Sequence, residues 1–203
     1  LVALVAPEAR LLPVTVLRPN GIGYPVDIAD GIDYSIMQGA HVIVLALGTT
    51  VPSTAMINAI DNALERGITV VAAAGNTLPS PNGPSILFPA SYSTGTTIGV
   101  FAVGANDALD DLAVFSNYHQ KLDLMAPGVS FVDGSGVPDP SSSVIGPLPG
   151  GDFAAANGTS FSTGFAAGIA ALARAQYRSW PDEFVSMVQI PGELHQVIPL
   201  TNT

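Results

Sequence analysis

No cysteine occurs among the 203 residues, which excludes disulfides and thiolate metal sites without fixing a compartment. Positive charge is almost as scarce. Six Lys and Arg stand against 16 Asp and Glu, Lys121 is the only lysine, and the net charge is −10. Such a surface repels phosphate backbones and anionic lipid, and no basic cluster offsets it, so neither nucleic acid nor a membrane surface is an expected partner. Uninterrupted apolar runs of spanning length are missing too. The opening LVALVAPEARLLPVTVL is broken by Pro7, Glu8, Arg10 and Pro13, and it reads as neither a signal peptide nor a membrane span. It begins abruptly on apolar residues, which suggests that Leu1 is a cut point.

What the chain does hold is apolar material. At 48% hydrophobic and 11% charged, it has enough for one large core, so residues 1–203 are expected to form one domain. Leu12–Leu17 is rich in β-branched residues and ends in Arg-Pro-Asn-Gly, which predicts a strand and a turn. Ile28, Ile32 and Ile36 recur at helical spacing, with Gly39 as a stop. His41–Leu47 is continuously apolar, as in a strand covered on both faces. Ser53 can cap a second helix with Met56, Ile60 and Leu64 on its inner stripe and Gly67 at its end. Ile68–Ala74 and Thr97–Ala105 predict further buried strands. Strands alternating with helices over short connections predict an α/β fold with a parallel sheet and right-handed crossovers. Residues 132–152, rich in Gly, Pro and Ser, read as a long surface excursion without regular structure.

Ligands of such a sheet sit at the carboxyl ends of the strands. The residues there are Gly48 with Thr49, and Gly75 with Asn76. An Asn in that position offers an amide donor suited to an oxyanion. Ser160 opens the Ala- and Gly-rich helical segment Phe161–Tyr177, where a hydroxyl would lie at a positive helix end. Read alone, Ser160 is more simply a helix cap than a nucleophile.

Five ordered stretches bear on that choice: VAPEARLLPVTVL, HVIVLALG, ITVVAAAGN, FAVGANDALDDLAVFSNYHQKLDLMAPGVS and NGTSFSTGFAAGIAALA. In order and approximate spacing they resemble the subtilisin-like serine proteases. The resemblance covers the chain except the Pro/Gly/Ser-rich excursion and the last two dozen or so residues. It implies a three-layer α/β/α architecture with a mainly parallel sheet, here incomplete. It also implies Ser160 as nucleophile, the Asn76 amide and the Ser160 backbone N–H as oxyanion donors, and a side-chain pocket walled by Ala46, Leu47, Gly48, Ala73, Ala74 and Gly75. The stretches around Gly23 (Gly21–Tyr24) and Leu47–Thr49 would hold an extended peptide by strand pairing. Phe88-Pro89 stands where the family often carries an aromatic-proline pair that can be cis.

The triad Asp and His of the family precede the VAP segment, which begins here at Val5. His41, His119 and His195 are the only histidines. None stands in the family's His motif. His41 is expected to be structural beside the core, and the other two to be surface residues. Without a base a serine is a poor nucleophile, so the isolated chain is expected to be inactive. Gly164 and Phe165 replace a proline and a frequent histidine of the family, and Ala46 replaces a frequent Ser. Calcium is a cofactor of relatives, but Asp107, Asp110 and Asp111 read as a solvated turn, and no metal site is assigned. The expected partner is a peptide or protein substrate, with an upstream fragment of the same polypeptide or a second copy covering exposed core. A secreted location is implied by the family. The alternative is a non-catalytic scaffold of the same fold that binds peptides.

Overall fold

The computed structural model describes residues 1–77, 86–92, 99–119, 121–129, 143–147 and 151–176. Its elements run α1 (Val2–Val5), α2 (Pro25–Met37), β1 (Val42–Leu45), α3 (Thr54–Glu65), β2 (Thr69–Ala73), β3 (Phe101–Asn106), β4 (Leu124–Pro127), β5 (Val144–Pro147), β6 (Phe153–Ala156) and α4 (Thr159–Gln176). Strands β1–β4 form a parallel sheet in chain order, and β5 pairs antiparallel with β6.

Strand alternation assigns the two faces of the sheet. Ile43, Leu45, Val70, Ala72 and Ala102 face α2 and α3, burying Ile28, Ile32, Met56, Ile60 and Leu64. Val71, Val103 and Ala126 face α4 through Ala166 and Ala170. Helix, sheet and helix make three α/β/α layers. Both helices on the first face end as their glycines dictate. Gly67 (φ 69°) donates to Leu64 O at 2.8 Å and Ile68 to Ala63 O at 3.0 Å, while Gly39 (φ 76°) and Ala40 repeat the arrangement on Ile36 O and Ser35 O. A left-handed residue just past the helix lets the last carbonyls find donors.

Four expectations are corrected. Leu12–Leu17 is not a strand. Val14 and Val16 lie instead against Gly31 of α2, where an added Cβ would collide with the Val16 side chain. A strand needs a neighbouring ladder, and no strand of the described residues runs beside this run. β1 is shorter than His41–Leu47 and is not covered on both faces: Val44 is 39% exposed, because among the described residues β1 is the edge strand of the sheet. Ser53 takes the cap position of α3 but makes no side-chain capping bond. The Gly/Pro/Ser-rich excursion contains β5, whose partner β6 leads directly into α4. Residues 97 and 98 of the expected Thr97–Ala105 strand lie outside the described residues, as do 78–85 of the proline-rich stretch after Asn76. The strand itself begins at Phe101.

Gly164, unexpected four residues after Ser160, has a packing reason. A Cβ on Gly164 would stand 3.2 Å from Leu1 Cβ, and one on Gly168 2.6 Å from Val5 Cβ. Four residues apart, these glycines lie on one helix face. They form the track on which α1 docks.

Candidate active site

The carboxyl ends of β1 and β2 and the amino end of α4 meet at one rim of the sheet. β1 continues through Ala46, Leu47 and Gly48, and β2 through Ala74, Gly75 and Asn76. An antiparallel bridge between Thr49 and Phe88 closes the floor: Thr49 N–H donates to Phe88 O at 2.8 Å and Phe88 N–H to Thr49 O at 3.0 Å. Leu87 N–H donates to Ala74 O at 2.9 Å. The side chain of Leu87 therefore stands between the two walls. A Cβ on Gly48 would meet it at 3.0 Å and one on Gly75 at 2.8 Å. The Phe88-Pro89 bond is cis. Phe88 packs edge-on against Tyr92, with ring centroids 6.0 Å apart. The Tyr92 hydroxyl reaches the Asp61 carboxylate at 2.9 and 3.0 Å. Burial, then the Asp61 hydrogen bond and charge, raise its pKa above the ordinary phenol value, so it stays a neutral donor tying the floor to α3.

Ser160 is the second residue of α4, where the first turn leaves N–H groups without intrahelical partners. Its hydroxyl donates to Ala46 O at 3.2 Å, across 114 residues of sequence. Thr159, fully buried, joins the two sides. Its N–H and Oγ1 both donate to Asn76 Oδ1 at 2.9 Å, and its Oγ1 accepts from Gly75 N–H at 3.1 Å. With the Asn76 carbonyl oxygen held by Thr159, the Nδ2 amide remains to point elsewhere. A Cβ on Gly158 would come within 3.0 Å of it. Gly128, just past β4, supports this corner from below. It accepts from Gly158 N–H at 3.0 Å, and a Cβ there would strike Ala105 Cβ at 2.5 Å and Ser162 Oγ at 2.6 Å.

Ser160, Asn76, Gly75, Ala46 and, through Leu87, Gly48 are thus brought together, with Leu47 and the buried Ala73 and Ala74 behind them. Gly23 lies on a separate stretch, tight against Val16 O and the Leu17 side chain, each 2.7 Å from where a Cβ would stand. Sequence reasoning passed over Thr159, Leu87 and Asn117. The Thr of Gly-Thr-Ser was the one local signal among them.

No imidazole among the described residues bonds Ser160, whose hydroxyl is turned to the Ala46 carbonyl. His41, expected beside the core, is exposed, since the strand starts one residue later. Its carbonyl accepts from Thr69 N–H at 3.1 Å. His119 is exposed, and His195 lies outside the described residues.

Among the described residues, the acidic turn after β3 does not offer calcium a fitting donor set. Asp107 Oδ1 accepts from Leu109 and Asp111 N–H at 2.9 and 3.0 Å, and Asp110 Oδ1 takes the Asn106 amide. These carboxylates are turned into their own loop. Among the described residues no three His, Asp or Glu are grouped to hold a metal.

The chain matches the subtilase family over residues 2–190. It is 38% identical over 190 residues to Subtilisin Savinase of Lederbergia lenta, covering 94% of this chain and 61% of that protein. To the Thermophilic serine proteinase of Bacillus sp. (strain AK1) it is 41% identical over 179 residues, covering 88% and 39%. To the M-protease of Shouchella clausii (strain KSM-K16) it is 38% identical over 190 residues, covering 94% and 43%. The chain spans 43% and 61% of the length of the last and first of these. Among solved structures, the self-cleaved protease domain of PatA superposes with a TM-score of 0.62 at 26% identity, covering 82% of this chain and 58% of that one. The Prenylagaramide maturation protease PagA does so with a TM-score of 0.62 at 26% identity, covering 77% and 52%. The chain belongs to the subtilase family, the subtilisin-like serine proteases.

Proposed function

We propose that this chain supplies the nucleophile, oxyanion hole and side-chain pocket of a serine endopeptidase, and that the base and its orienting carboxylate come from a segment ahead of it. The observation that carries this is the convergence of the Ser160 hydroxyl, at the amino end of α4, with an Asn76 amide whose carbonyl oxygen is already engaged by Thr159. Ser160 Oγ attacks the peptide carbonyl while an imidazole takes its proton. The developing oxyanion accepts from Asn76 Nδ2 and the Ser160 N–H, and water hydrolyses the acyl-enzyme. Walls of Ala46–Gly48 and Ala73–Gly75, with the Leu87 side chain between them, line the pocket for the side chain before the cleaved bond. The Gly21–Tyr24 and Leu47–Thr49 stretches hold the peptide on either side. The edge of β1, unpaired among the described residues and with Val44 39% exposed, supports an upstream fragment or a second copy as the cover of this face, because an open apolar strand edge is a site of pairing. A secreted setting, as the family resemblance implies, belongs to the same proposal.

The test uses the chain alone and the chain preceded by a segment that carries the family's Asp and His. Both are treated with a serine-directed phosphonate and assayed on a peptide substrate. The joined protein labels at Ser160 and cleaves, Ser160→Ala abolishes both, and the chain alone does neither. Undiminished cleavage by Ser160→Ala ends the proposal. The second reading, a peptide-binding scaffold without hydrolysis, is favoured by the Ser160 hydroxyl's engagement with Ala46 O instead of an imidazole. A joined protein that binds peptide but neither labels nor cleaves establishes it.

A further inference from the structure

The oxyanion donor is aimed from behind as well as from the side. Asn117 has no exposed surface and lies in the loop after β3, 41 residues from Asn76, yet it grips the chain on both sides of that residue. Its backbone N–H donates to Gly75 O at 3.0 Å and its Nδ2 to Ala74 O at 3.2 Å. Its Oδ1 accepts from Thr77 N–H at 3.0 Å and from Thr77 Oγ1 at 2.5 Å. Gly75 admits this arrangement: φ is +109°, and a Cβ there would lie 2.5 Å from Asn117 Nδ2. One side chain thus fixes the residues before and after Asn76, while Thr159 fixes the far end of the Asn76 amide. The geometry points to Asn117 as a positioning residue of the oxyanion hole: it sets the direction of Asn76 Nδ2 without touching substrate.

The inference rests on the proposed function and has its own failure. An amide needs both a donor and an acceptor for this grip, since Ala74 O must receive an N–H and Thr77 must meet an oxygen. Alanine at 117 removes the side-chain hydrogen bonds to Ala74 O and to Thr77 and leaves the Gly75 O bond made by the backbone. Asn76 keeps its donor but loses its aim. The loss is therefore smaller than the 10²–10³ in kcat that accompanies deletion of an oxyanion donor, and is set at about tenfold.

The experiment compares the joined, active protein with Asn117→Ala, Asn76→Ala and the double variant. In the Asn76 background, Asn117→Ala lowers kcat about tenfold and moves KM less than about twofold. In the Asn76→Ala background the same change moves kcat less than about twofold, because no amide remains to be aimed. Equal losses in both backgrounds assign Asn117 to general folding and overturn the inference, as does the absence of any loss. If Asn117→Ala does not fold, Thr77→Val replaces it. That variant deletes only the exposed residue's hydroxyl and keeps its N–H bond, with about threefold expected in the Asn76 background and none in Asn76→Ala. A loss that persists in Asn76→Ala, or no loss at all, is again an overturning result. Should Asn76→Ala itself leave kcat unchanged, the oxyanion-hole reading fails before this one is reached.

Discussion

Thr159→Val is the substitution that bears most directly on the site. Valine matches threonine in shape and β-branching, so helix propensity at the start of α4 barely changes. The difference is one oxygen. Thr159 Oγ1 accepts from the buried Gly75 N–H at 3.1 Å and donates to Asn76 Oδ1 at 2.9 Å. Removing it leaves Gly75 N–H without that partner in a site with no exposed side-chain surface at 159. Leaving one buried donor unmade costs about 1–3 kcal/mol. Asn76 Oδ1 keeps the Thr159 N–H at 2.9 Å, so the amide is loosened but not released. In a chain of this size about 2–4 °C of Tm accompanies each kcal/mol, which places the expected fall at about 2–12 °C. Unfolding is measured by circular dichroism in a Ser160→Ala background, where autolysis cannot intrude. Thr159→Ser is the control. It keeps the hydroxyl, gives up one buried methyl at about 1 kcal/mol, and, in the protein joined to the Asp- and His-bearing segment, retains kcat where Thr159→Val lowers it. A Thr159→Val protein that matches the parent in both Tm and kcat would refute the account of the site, because the oxygen shared by Gly75 and Asn76 would then be dispensable.

Contacts elsewhere in the fold give three further outcomes. Gly31→Ala destabilises despite the better helix former, by about 1–3 kcal/mol in urea unfolding. The added Cβ collides with Val16 Cγ1 and meets Val14 Cγ1 at 3.3 Å, and Val16→Ala in the same chain relieves most of the cost. Gly168→Ala drives a Cβ to 2.6 Å from Val5 Cβ and 3.2 Å from Val2 O, so α1 lifts from α4 and limited proteolysis within residues 1–9 accelerates while the Ser160 corner is retained. Asp123 has its pKa raised by burial, against the lowering effect of the Ala102 N–H it accepts at 2.7 Å. A raised carboxyl contributes stability below its unfolded pKa and loses it as pH rises through the folded value. Asp123→Asn therefore gains relative to the parent as pH climbs above the ordinary carboxylate range. The gain is small, because the residue keeps contact with solvent, and a difference in unfolding midpoint that shrinks with rising pH is the opposite result.

The parts legible in the sequence were those with a local physical signature. The four-residue recurrences of α2 and α3 and the apolar runs of β1 and β2 announce their own geometry, and the stops at Gly39 and Gly67 come from backbone sterics alone. Leu12–Leu17 shows where this ends. Its composition favours a strand, but β-propensity describes fit to a half-buried pleated surface, and the run found α2 instead. β4 failed in the other sense. Four residues, one of them Pro127, carry too little pattern to announce a strand, and proline is tolerated because β4 is the outer strand of the sheet. β5 was hidden among Gly and Pro for a like reason: a short pairing with β6 requires a partner more than a pattern.

The same division runs through the site. Ser160 and Asn76 stood out because few residue types can serve as nucleophile or oxyanion donor, and both lie at strand and helix ends that periodicity can locate. Their supports did not, because Thr159 and Asn117 act across 83 and 40 residues of chain, to Asn76 and Thr77 respectively, and neither is an unusual residue for its local position. Gly164 is misjudged when position is weighed without packing. As a helix residue it is a weakness of about 1 kcal/mol relative to Ala. Paired with Gly168 beneath Leu1 and Val5, it becomes the reason that a one-turn helix can lie flat on α4. The amino end of α4 is consequently held from three sides, by α1 along its length, by Gly128 under Gly158, and by Thr159 against the end of β2. Rigidity at that point matters more than helix propensity within it, because the hydroxyl of Ser160 can serve only as well as the backbone beneath it is fixed.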